Sequence, residues 1–553
     1  MVTAAHPLAT KAAYDQLRAG GTAVDAAIAA QMVLTLVEPQ SSGIGGGAFL
    51  MHFDGERVEA YDGRETAPAA ATERLFQRAD GAPLAFYDAV VGGRSVGAPG
   101  VLRMLERAHR AHGKLPWKRL FEPAIALAEE GFAMSPRLAT LVDGDPLLAK
   151  DPVARAYFYD ADGKAKAAGT VLRNPGLAAV LREVADRGAD AFYTGPIARD
   201  IVAKVEGHAN NPGLLTAADL AGYHAEVREP VCADYRTWTV CGMPPPSSGG
   251  IAIAQMLGML EGSPRGAEIA RERPVQGRLG WEPTPGGVHL FADVGRLAYA
   301  DRDQYVADPA FVPLPGGDWR SLLDKQYLEE RARRITVCDG GREAPAGTPS
   351  GATAALARDE SPELPSTSHL SVVDAFGSAV AMTSSIEDAF GSRQMVRGFL
   401  LNNQLTDFSF VPERGGKLVA NRVQPGKRPR SSMSPTLVFE KGTRKLVMTL
   451  GSPGGPAIIN YVAKVLVGTL DWHLNVQEAI ALPNFGSRNK GTTELERGRA
   501  SEALARGLAA QCDTVKWVDL VSGLGGIQRV QDHGEDAWFA GADPRREGVA
   551  MGE

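Results

Sequence analysis

Apolar residues recur with the periods of both regular structures along the first part of the chain. The stretch "TAVDAAIAAQMVLTLVEP" is apolar at helical spacing, has Thr22 and Asp25 at capping-box positions and ends before Pro39, which predicts a helix. The later stretch "AFLMHFDGERVEAYDGRE" has two β-prone runs on either side of Asp54 and Gly55. This pattern predicts a β-hairpin.

Predicted strands dominate the last third of the chain. "HLSVVD" and "SAVAMTSS" flank a turn at 374–377, and "TLVFEKGTRKLVMTL" predicts a hairpin that turns near Gly442. "PAIINYVAKVLVGTL" then predicts a helix with Pro456 in its first turn. Before these elements, residues 338–366 are rich in Pro, Gly, Ala, Ser and Glu without apolar periodicity, which predicts a long mobile loop or linker.

The composition is that of an ordinary globular protein. Its 553 residues are 44% hydrophobic and 22% charged, with a net charge of −6 from 59 basic and 65 acidic residues. These charges form no basic block or acidic tail, and the sequence has no run of about 18 apolar residues. We therefore expect neither a nucleic-acid nor a membrane partner. The start, "MVTAAHPLAT", lacks the pattern of a signal peptide and indicates a cytoplasmic protein if it is genuine.

The cysteines do not have the spacing of a metal site, whereas the pair His109 and His112 has a spacing that could ligate a metal. The four cysteines contain no C-x-x-C pair, and a chain of this length does not need a disulfide framework. The nearest pair, Cys232 and Cys241, is interpreted as two buried thiols. His109 and His112 are three residues apart in a polar helix, for which an exposed face is the simpler interpretation. The sequence therefore predicts no metal and no cofactor.

Three short motifs have more than one interpretation. "SSGIGGGAF" at 41–49 follows a helix and begins a strand, the reverse of a dinucleotide-binding loop, and so indicates close backbone packing. "GSPGGPAII" at 451–459 lacks the Lys-Ser/Thr of a phosphate loop, and its N–H groups suit an oxyanion hole or a plain tight turn equally. "KRPRSSMSP" at 427–435 is interpreted from composition as a solvated basic turn.

Thr367 stands where the predicted linker meets the strand "HLSVVD". A threonine hydroxyl is a weak nucleophile unless a base lies beside it. If the preceding peptide bond is cut, Thr367 gains a free α-amine whose pKa near 8 suits a general base. A threonine that simply begins a strand is the commoner case, so the position alone does not decide between the two.

Several long motifs resemble the γ-glutamyltransferase (γ-glutamyltranspeptidase, glutathione hydrolase) family of N-terminal-nucleophile hydrolases. They run from "GGTAVDAA" and "EPQSSGIGGG" through "LAYADRDQYVADP" to "TSHLSVVD", "GFLLNNQLTDFS", "PGKRPRSSMSPT", "GSPGG" and "AGADPRREG". The resemblance covers nearly the whole chain, and the motifs occur in family order.

The resemblance implies an α+β fold, a four-layer αββα sandwich made from a precursor that cleaves itself. The cut would fall between Ser366 and Thr367, giving a large subunit of residues 1–366, which includes the pre-cleavage loop at about 338–366, and a small catalytic subunit of residues 367–553. The two subunits would form a heterodimer. The substrates would be glutathione and other γ-glutamyl compounds, with water or an amino acid as acceptor.

Family motifs also imply the catalytic residues. Thr367 would be the nucleophile with its own amine as base, and Gly454 and Gly455 would supply the oxyanion N–H groups. Ser385 stands where the family usually has a threonine that hydrogen-bonds the nucleophile, so its hydroxyl can keep that role.

The substrate-binding residues follow in the same way. Arg64 of "DGRETAP", with Ser431 and Ser432, would bind the α-carboxylate of the γ-glutamyl group. Asp407, with Gln404 beside it, would bind the α-ammonium.

The sequence departs from the family pattern in three respects. Glu387 stands where the family commonly has Asn, and some members have Glu where Gln404 stands, so two carboxylates near the ammonium would be kept with one relocated. The stretch from Asp407 to Lys427 is shorter than in lid-bearing bacterial members and has no Tyr or Trp, which predicts an open site for larger γ-glutamyl substrates. Bacterial members are typically periplasmic or secreted, whereas no signal peptide is visible here.

Two alternatives to γ-glutamyl transfer and hydrolysis stay open at this point. One is a related acylase acting on glutaryl-type amides such as β-lactam side chains, although those substrates lack the α-amine that Asp407 and Glu387 would bind. The other is an unprocessed homologue that only binds γ-glutamyl compounds.

Overall fold

The computed structural model describes residues 1–277, 280–335, 338, 342–352, 356–361, 364 and 366–552. The strands are β1 (Val2–Ala4), β2 (Gly47–Phe53), β3 (Val58–Gly63), β4 (Phe132–Ala133), β5 (Val171–Leu172), β6 (Glu226–Arg228), β7 (Val231–Tyr235), β8 (Trp238–Gly242), β9 (Val275–Gly277), β10 (Gly280–Glu282), β11 (Leu356–Ala357), β12 (Ser368–Val373), β13 (Ala379–Ser385), β14 (Met395–Val396), β15 (Phe399–Leu400), β16 (Glu413–Arg414), β17 (Lys417–Val419), β18 (Thr436–Glu440), β19 (Leu446–Gly451), β20 (Phe485–Gly486), β21 (Thr493–Glu496), β22 (Val515–Val518), β23 (Gly525–Asp532), β24 (Glu535–Ala542) and β25 (Val549–Met551). The α-helices are α1 (Pro7–Arg18), α2 (Ala23–Val37), α3 (Phe86–Val90), α4 (Val101–His112), α5 (Glu122–Glu130), α6 (Pro136–Gly144), α7 (Pro152–Phe158), α8 (Pro175–Arg187), α9 (Asp190–Tyr193), α10 (Gly195–Glu206), α11 (Ala217–Ala221), α12 (Gly249–Gly262), α13 (Gly266–Ile269), α14 (Pro285–Tyr305), α15 (Lys325–Ala332), α16 (Ile458–Leu470), α17 (Val476–Ala481) and α18 (Glu502–Ala509).

Two antiparallel sheets form the centre of the fold. One has the strand order β25-β1-β12-β13-β2-β3-β6, and the other has the order β24-β23-β19-β18-β8-β7. Successive side chains of a strand point to opposite faces. On β2, Leu50 packs into a core with α1, α2 and α4, whereas Phe49 and Met51 pack into a second core with Met448 of the facing sheet. That second core continues to α12, α14 and α16, so the layers run helix, sheet, sheet, helix, which confirms the expected α+β sandwich.

Local sequence signals predicted several of these helices and hairpins correctly. Helix α2 has the predicted capping box between Thr22 and Asp25, and β2 and β3 form the predicted hairpin. Strands β12 and β13 pair across the expected turn, and so do β18 and β19. In each case the signal is short in range: a cap, a turn or a period of two.

The cysteine interpretation was wrong. Cys232 and Cys241 are directly opposite each other on β7 and β8 and form a disulfide, and a second disulfide joins Cys338 to Cys512. Residues facing each other across an antiparallel pair are close enough for such a bond. The second pair is separated by 174 residues, and only the folded chain brings its members together.

The segment predicted as a mobile linker is partly outside the described residues, at positions 339–341, 353–355, 362, 363 and 365. Its described parts make specific contacts. Leu356–Ala357 pairs in parallel with Lys417–Val419, and the carboxylate of Asp359 is buried against Arg430 at 3.0 Å. The mobility of the rest and the subunit boundary at 366 stay predictions.

In the part of the chain that the structure describes, none of the helices combines the length and the apolar character needed to cross a bilayer.

Candidate functional site

Thr367 lies at the end of the first sheet, in the middle of the fold. It precedes β12, whose Ser368 pairs with Ser384, so Thr367 comes next to Ser385 at the end of β13. Strand β2 begins opposite Ser385 with Gly47. A Cβ on Gly46 would stand 2.2 Å from the Ser385 carbonyl oxygen, which confirms that the glycine run of 41–49 serves close backbone packing. Thr367 and Ser385 are both buried.

The peptide bond before Thr367 is the focus of a small hydrogen-bond network. The carbonyl oxygen of Ser366 accepts from Thr367 Oγ1 at 2.5 Å and from Ser385 Oγ at 2.8 Å. The two hydroxyl oxygens are 3.4 Å apart. The Ser366 hydroxyl donates to the carbonyl of Gln40 at 2.7 Å, which fixes this residue from the other side. Two donors therefore converge on one backbone carbonyl beside a threonine hydroxyl.

Arg546 is a site residue that sequence reasoning missed. Its guanidinium donates to the Thr367 carbonyl oxygen at 2.9 Å, and burial lowers its pKa to about 10. The residue belongs to "AGADPRREG", a motif that carried the family resemblance, but nothing in that motif indicates which of its two arginines turns toward residue 367. The contact holds the backbone on the strand side of Thr367.

Arg64 and Asp407 are both in the cavity beside Thr367 and pair with each other. Arg64 Nη2 lies 2.5 Å from Asp407 Oδ2, and Gln404 Nε2 donates to the same oxygen at 2.9 Å. The guanidinium also donates to the backbone carbonyls of Pro429 at 3.0 Å and Arg430 at 2.8 Å. The arginine is fully buried, so these partners replace water for its charge.

Glu65 lies behind Arg64 and was not singled out from the sequence. It is fully buried, its Oε2 is 3.8 Å from Arg64 Nη1, and neither carboxyl oxygen accepts a hydrogen bond in the described part of the chain. Burial raises the pKa of Glu65 to about 8, against the opposing effect of the Arg64 charge. The sequence signal for Glu65 was its position next to Arg64 in "DGRETAP", because a charged residue beside a candidate substrate-binding arginine shares its surroundings.

Glu387 reaches the same cavity from the loop after β13. Its backbone is in the left-handed region, with φ of 81°, and its N–H donates to Ser385 Oγ at 2.8 Å. Its carboxyl group accepts from Asn403 Nδ2 and, at 3.4 Å, from the backbone N–H of Leu364. Burial, followed by the charges of Asp407 and Asp388, raises the pKa of Glu387 well above its ordinary value.

The segment "KRPRSSMSP" is buried rather than solvated, so its interpretation as an exposed basic turn was wrong. Lys427 donates to the carbonyl of Ala420 at 2.7 Å, and burial lowers its pKa to about 7. The next residues bring Ser431 and Ser432 to the cavity wall, where Ser432 Oγ accepts from Arg302 at 2.7 Å. Because it contributes Ser431 and Ser432 to the cavity wall, this turn is part of the site.

Gly454 and Gly455 follow β19 and lead into α16. Both have positive φ, 136° and 57°, which glycine adopts without steric cost. Gly455 is in the cavity wall, and a Cβ on Gly454 would stand 2.5 Å from the ring of Tyr461. Glycine is therefore required here by the backbone, whichever ligand the N–H groups serve.

These residues enclose a small cavity with an empty volume of about 280 Å³. Of the residues expected from the sequence, it brings together Arg64, Ser366, Thr367, Ser385, Glu387, Gln404, Asp407, Ser431, Ser432 and Gly455, and Gly454 is adjacent. Leu364 also lines it, so the chain just before the junction takes up part of the space. One set of three metal-ligating side chains is found among the described residues, and it lies elsewhere, at the other end of β3.

Comparison with known proteins identifies the family of this chain and its fold. Residues 9–553 match the family model described as Gamma-glutamyltranspeptidase. The chain is 35% identical over 565 residues to the glutathione hydrolase proenzyme of Bacillus subtilis (strain 168), covering 100% of this chain and 91% of that protein. It is 35% identical over 522 residues to the acylase ACY 1 proenzyme of Pseudomonas sp. (strain SE83), covering 92% and 86%. The fold matches the crystal structure of cephalosporin acylase from Bacillus halodurans with a TM-score of 0.80 at 26% identity, covering 100% and 96%.

Proposed function

The chain belongs to the γ-glutamyltranspeptidase family, and we propose that it is a precursor that cleaves itself before Thr367 and then acts on γ-glutamyl amides. The observation that supports the cleavage is the convergence of the Thr367 and Ser385 hydroxyls on the Ser366 carbonyl oxygen. A hydroxyl that could act as the nucleophile and a second hydrogen-bond donor therefore lie beside the bond that would break.

Cleavage would proceed as an N-to-O acyl shift. Thr367 Oγ1 attacks the Ser366 carbonyl carbon, Ser385 donates to the developing oxyanion, and the C–N bond breaks. The hydroxyl proton goes to the departing nitrogen, which becomes the α-amine of Thr367. Water then hydrolyses the ester and leaves a carboxylate on Ser366. The products are residues 1–366 and residues 367–553 in one heterodimer.

In the cleaved enzyme the Thr367 amine can accept the proton of its own hydroxyl. The hydroxyl oxygen then attacks the γ-carbonyl of glutathione or a related amide, and the N–H groups of Gly454 and Gly455 stabilise the oxyanion. The amine returns the proton to the leaving nitrogen. Water or an amino acid takes the γ-glutamyl group from the threonyl ester, which completes hydrolysis or transfer.

Substrate recognition would use the buried charges. The α-carboxylate of the γ-glutamyl group matches the Arg64 guanidinium with the hydroxyls of Ser431 and Ser432. The α-ammonium matches Asp407, Glu387 and the amide of Gln404. Because Arg64 and Asp407 pair with each other, a ligand that carries both charges can separate them and supply each with an opposite charge.

The test begins with chain composition. Mass spectrometry of purified wild type should give two chains, the second beginning at Thr367, and Thr367→Ala should give one uncut chain without activity on a γ-glutamyl anilide. Ser385→Ala should cut more slowly. Because Cys338 and Cys512 are on opposite sides of the junction, electrophoresis must be run with and without reductant. Two bands only after reduction support cleavage together with the disulfide, whereas efficient cutting of Thr367→Ala excludes this nucleophile.

A glutaryl acylase is the second candidate function. It is supported by the full-length match to cephalosporin acylase and by the relative named acylase. The acidic groups of Asp407 and Glu387 favour the γ-glutamyl substrate, since a glutaryl group has no ammonium to bind.

A matched pair of anilides, γ-glutamyl and glutaryl, separates the two candidate functions: a preference for glutaryl would make the protein an acylase. A folded wild type that stays uncut and binds without turnover would make it a γ-glutamyl-binding homologue.

An oxidising compartment would suit the proposed enzyme. Disulfides form and persist in secreted and periplasmic proteins and are rare in the cytosol. The two disulfides therefore support export, in line with the family expectation, and oppose the cytoplasmic alternative. Thiol titration of the protein from its native source, with and without reductant, tests this location.

A further inference from the structure

A cluster of metal-ligating side chains lies at the end of β3 remote from Arg64. His52 on β2 and Glu59 on β3 are directly opposite each other in the antiparallel register, and His112 is the last residue of α4. One ligand atom from each of the three lies within 4.8 Å of the other two. The sequence pattern pairs His112 with His109. In the structure, the partners of His112 come instead from a hairpin about 50 residues earlier.

Among the described residues, the hydrogen bonds of the cluster leave a buried nitrogen of His52 without a partner. His112 Nε2 is 2.6 Å from Glu59 Oε2, and Tyr61 Oη donates to the same carboxyl oxygen at 2.9 Å. His52 is 1% exposed, and its Nδ1 has no hydrogen-bond partner in the part of the chain that the structure describes. This nitrogen is 3.9 Å from Glu59 Oε2. A buried polar atom without a partner is uncommon in proteins and calls for a ligand.

We propose that His52 Nδ1, Glu59 Oε2 and His112 Nε2 bind one Zn²⁺ ion. Two imidazoles and one carboxylate form a donor set that favours zinc, whereas calcium and magnesium favour oxygen ligands alone. In a tetrahedral zinc site, neighbouring ligand atoms stand roughly 3.3 Å apart. The two distances to Glu59 Oε2, 2.6 Å from His112 and 3.9 Å from His52, bracket this value. Small side-chain rotations therefore suffice to form the site.

The fourth coordination position faces solvent. The side chain of Glu59 is 36% exposed and that of His112 is 19% exposed, so water can complete the coordination. Tyr61 is a positioning residue, because its hydroxyl oxygen lies 2.9 Å from Glu59 Oε2 and 3.0 Å from His112 Nε2 and so orients both groups. Glu59 and Arg64 are five residues apart along an extended strand, roughly 16 Å. The ion would thus join the end of α4 to the β2–β3 hairpin without reaching the groups that react.

The experiment uses the full-length protein stripped of metal and titrated with Zn²⁺ alone, with Co²⁺ absorption as a probe of tetrahedral coordination. We expect one Zn²⁺ per chain, with Glu59→Gln and His112→Gln weakening Kd by at least about 100-fold and Tyr61→Phe by about 10-fold. His533→Gln is the matched control, since its side chain is 97% exposed and outside the cluster. It should bind as tightly as wild type.

Glu59→Gln keeps the side-chain shape, whereas His112→Gln replaces the imidazole ring with an open-chain amide. Both change a partly exposed group, and melting curves without metal check that both variants are folded. Equal Zn²⁺ affinity in folded Glu59→Gln, His112→Gln and wild type overturns the proposal. So does a folded wild type that binds no Zn²⁺. Loss of affinity in His533→Gln equal to that in His112→Gln also overturns it, because binding would then be adventitious.

Discussion

The two ends of β3 carry similar charged groups in very different surroundings. At one end Arg64 is fully buried and Asp407 nearly so, and the two pair with each other at 2.5 Å. At the other end Glu59 is about a third exposed and shares its hydrogen bonds with His112 and Tyr61. Five positions along the chain therefore separate a dry cluster, Arg64 with Asp407, from a wet one, Glu59 with His112 and Tyr61.

This difference in water access decides how each cluster can be used. A charge removed from water is expensive unless a partner replaces the lost solvation, so the dry cluster must stay matched or exchange its partners for a ligand of equal charge. A partly exposed ion pair contributes little to the free energy of unfolding, so little stability is lost when the pair is broken. The wet cluster can therefore give up its hydrogen bonds for a metal ion at small cost.

Removing the positive charge of Arg64 from the dry cluster should have the largest effect on the free energy of unfolding. In a Thr367→Ala background, which should keep every chain uncut, Arg64→Met should lower the free energy of unfolding by about 3–5 kcal/mol, because it removes the guanidinium charge that faces the buried Asp407 carboxylate. Arg64→Lys is the control that keeps the charge but not the planar geometry. In the cleavable chain it should be processed normally and raise KM for a γ-glutamyl anilide. Unchanged KM would remove Arg64 from the substrate site.

Glu65→Gln should act in the opposite direction. The folded chain holds the Glu65 proton up to a pH of about 8, whereas the unfolded chain releases it near 4.5, so wild type loses stability as pH rises between these values. The glutamine variant has no such loss and should be more stable than wild type by at most about 3 kcal/mol at pH 7. Denaturation at pH 4.5 and pH 8 measures the difference. A difference that does not change with pH would contradict the buried, protonated carboxyl group.

Glu387→Gln tests the second carboxyl group facing the cavity. Losing a charge-assisted hydrogen bond of roughly 1.5–3 kcal/mol corresponds to about a 10- to 150-fold loss in kcat/KM, and we expect the lower end because glutamine keeps some hydrogen bonding. The loss should be in KM, on the γ-glutamyl anilide and not on the glutaryl anilide. Because burial and the nearby carboxylates raise the pKa of Glu387, a rise in pH favours the charged form that binds the ammonium. KM of wild type should therefore fall as pH rises through the titration of this group, and this trend should disappear in the variant. Equal losses on both substrates would show a structural role.

A substitution in the wet cluster should have the smallest effect on the free energy of unfolding. Without metal, Glu59→Gln should change the free energy of unfolding by less than about 1 kcal/mol, since it alters a partly exposed pair and keeps the side-chain shape. Chemical denaturation in a chelator, beside Arg64→Met in the same uncut background, gives the comparison directly. A loss as large as that of Arg64→Met would mean that both ends of β3 depend equally on their charges.

The amino-acid sequence by itself determined the elements whose signals are local. The capping box of α2, the hairpin at Asp54 and Gly55 and the strand that follows Thr367 each depend on residues a few positions apart. The backbone geometry of a cap or a tight turn is set by its own residues, so it can be predicted without the rest of the chain. The family motifs likewise indicated most of the residues that line the cavity, because they could be matched one by one.

Only the tertiary structure decided the burial and the partners of those residues. Arg64 and Asp407 are 343 residues apart in sequence, and they pair because the folded chain brings both to one cavity. The disulfide between Cys338 and Cys512 and the contact of Arg546 with Thr367 arise in the same way. The desolvation of a group depends on every atom packed around it, and most of those atoms come from distant parts of the chain.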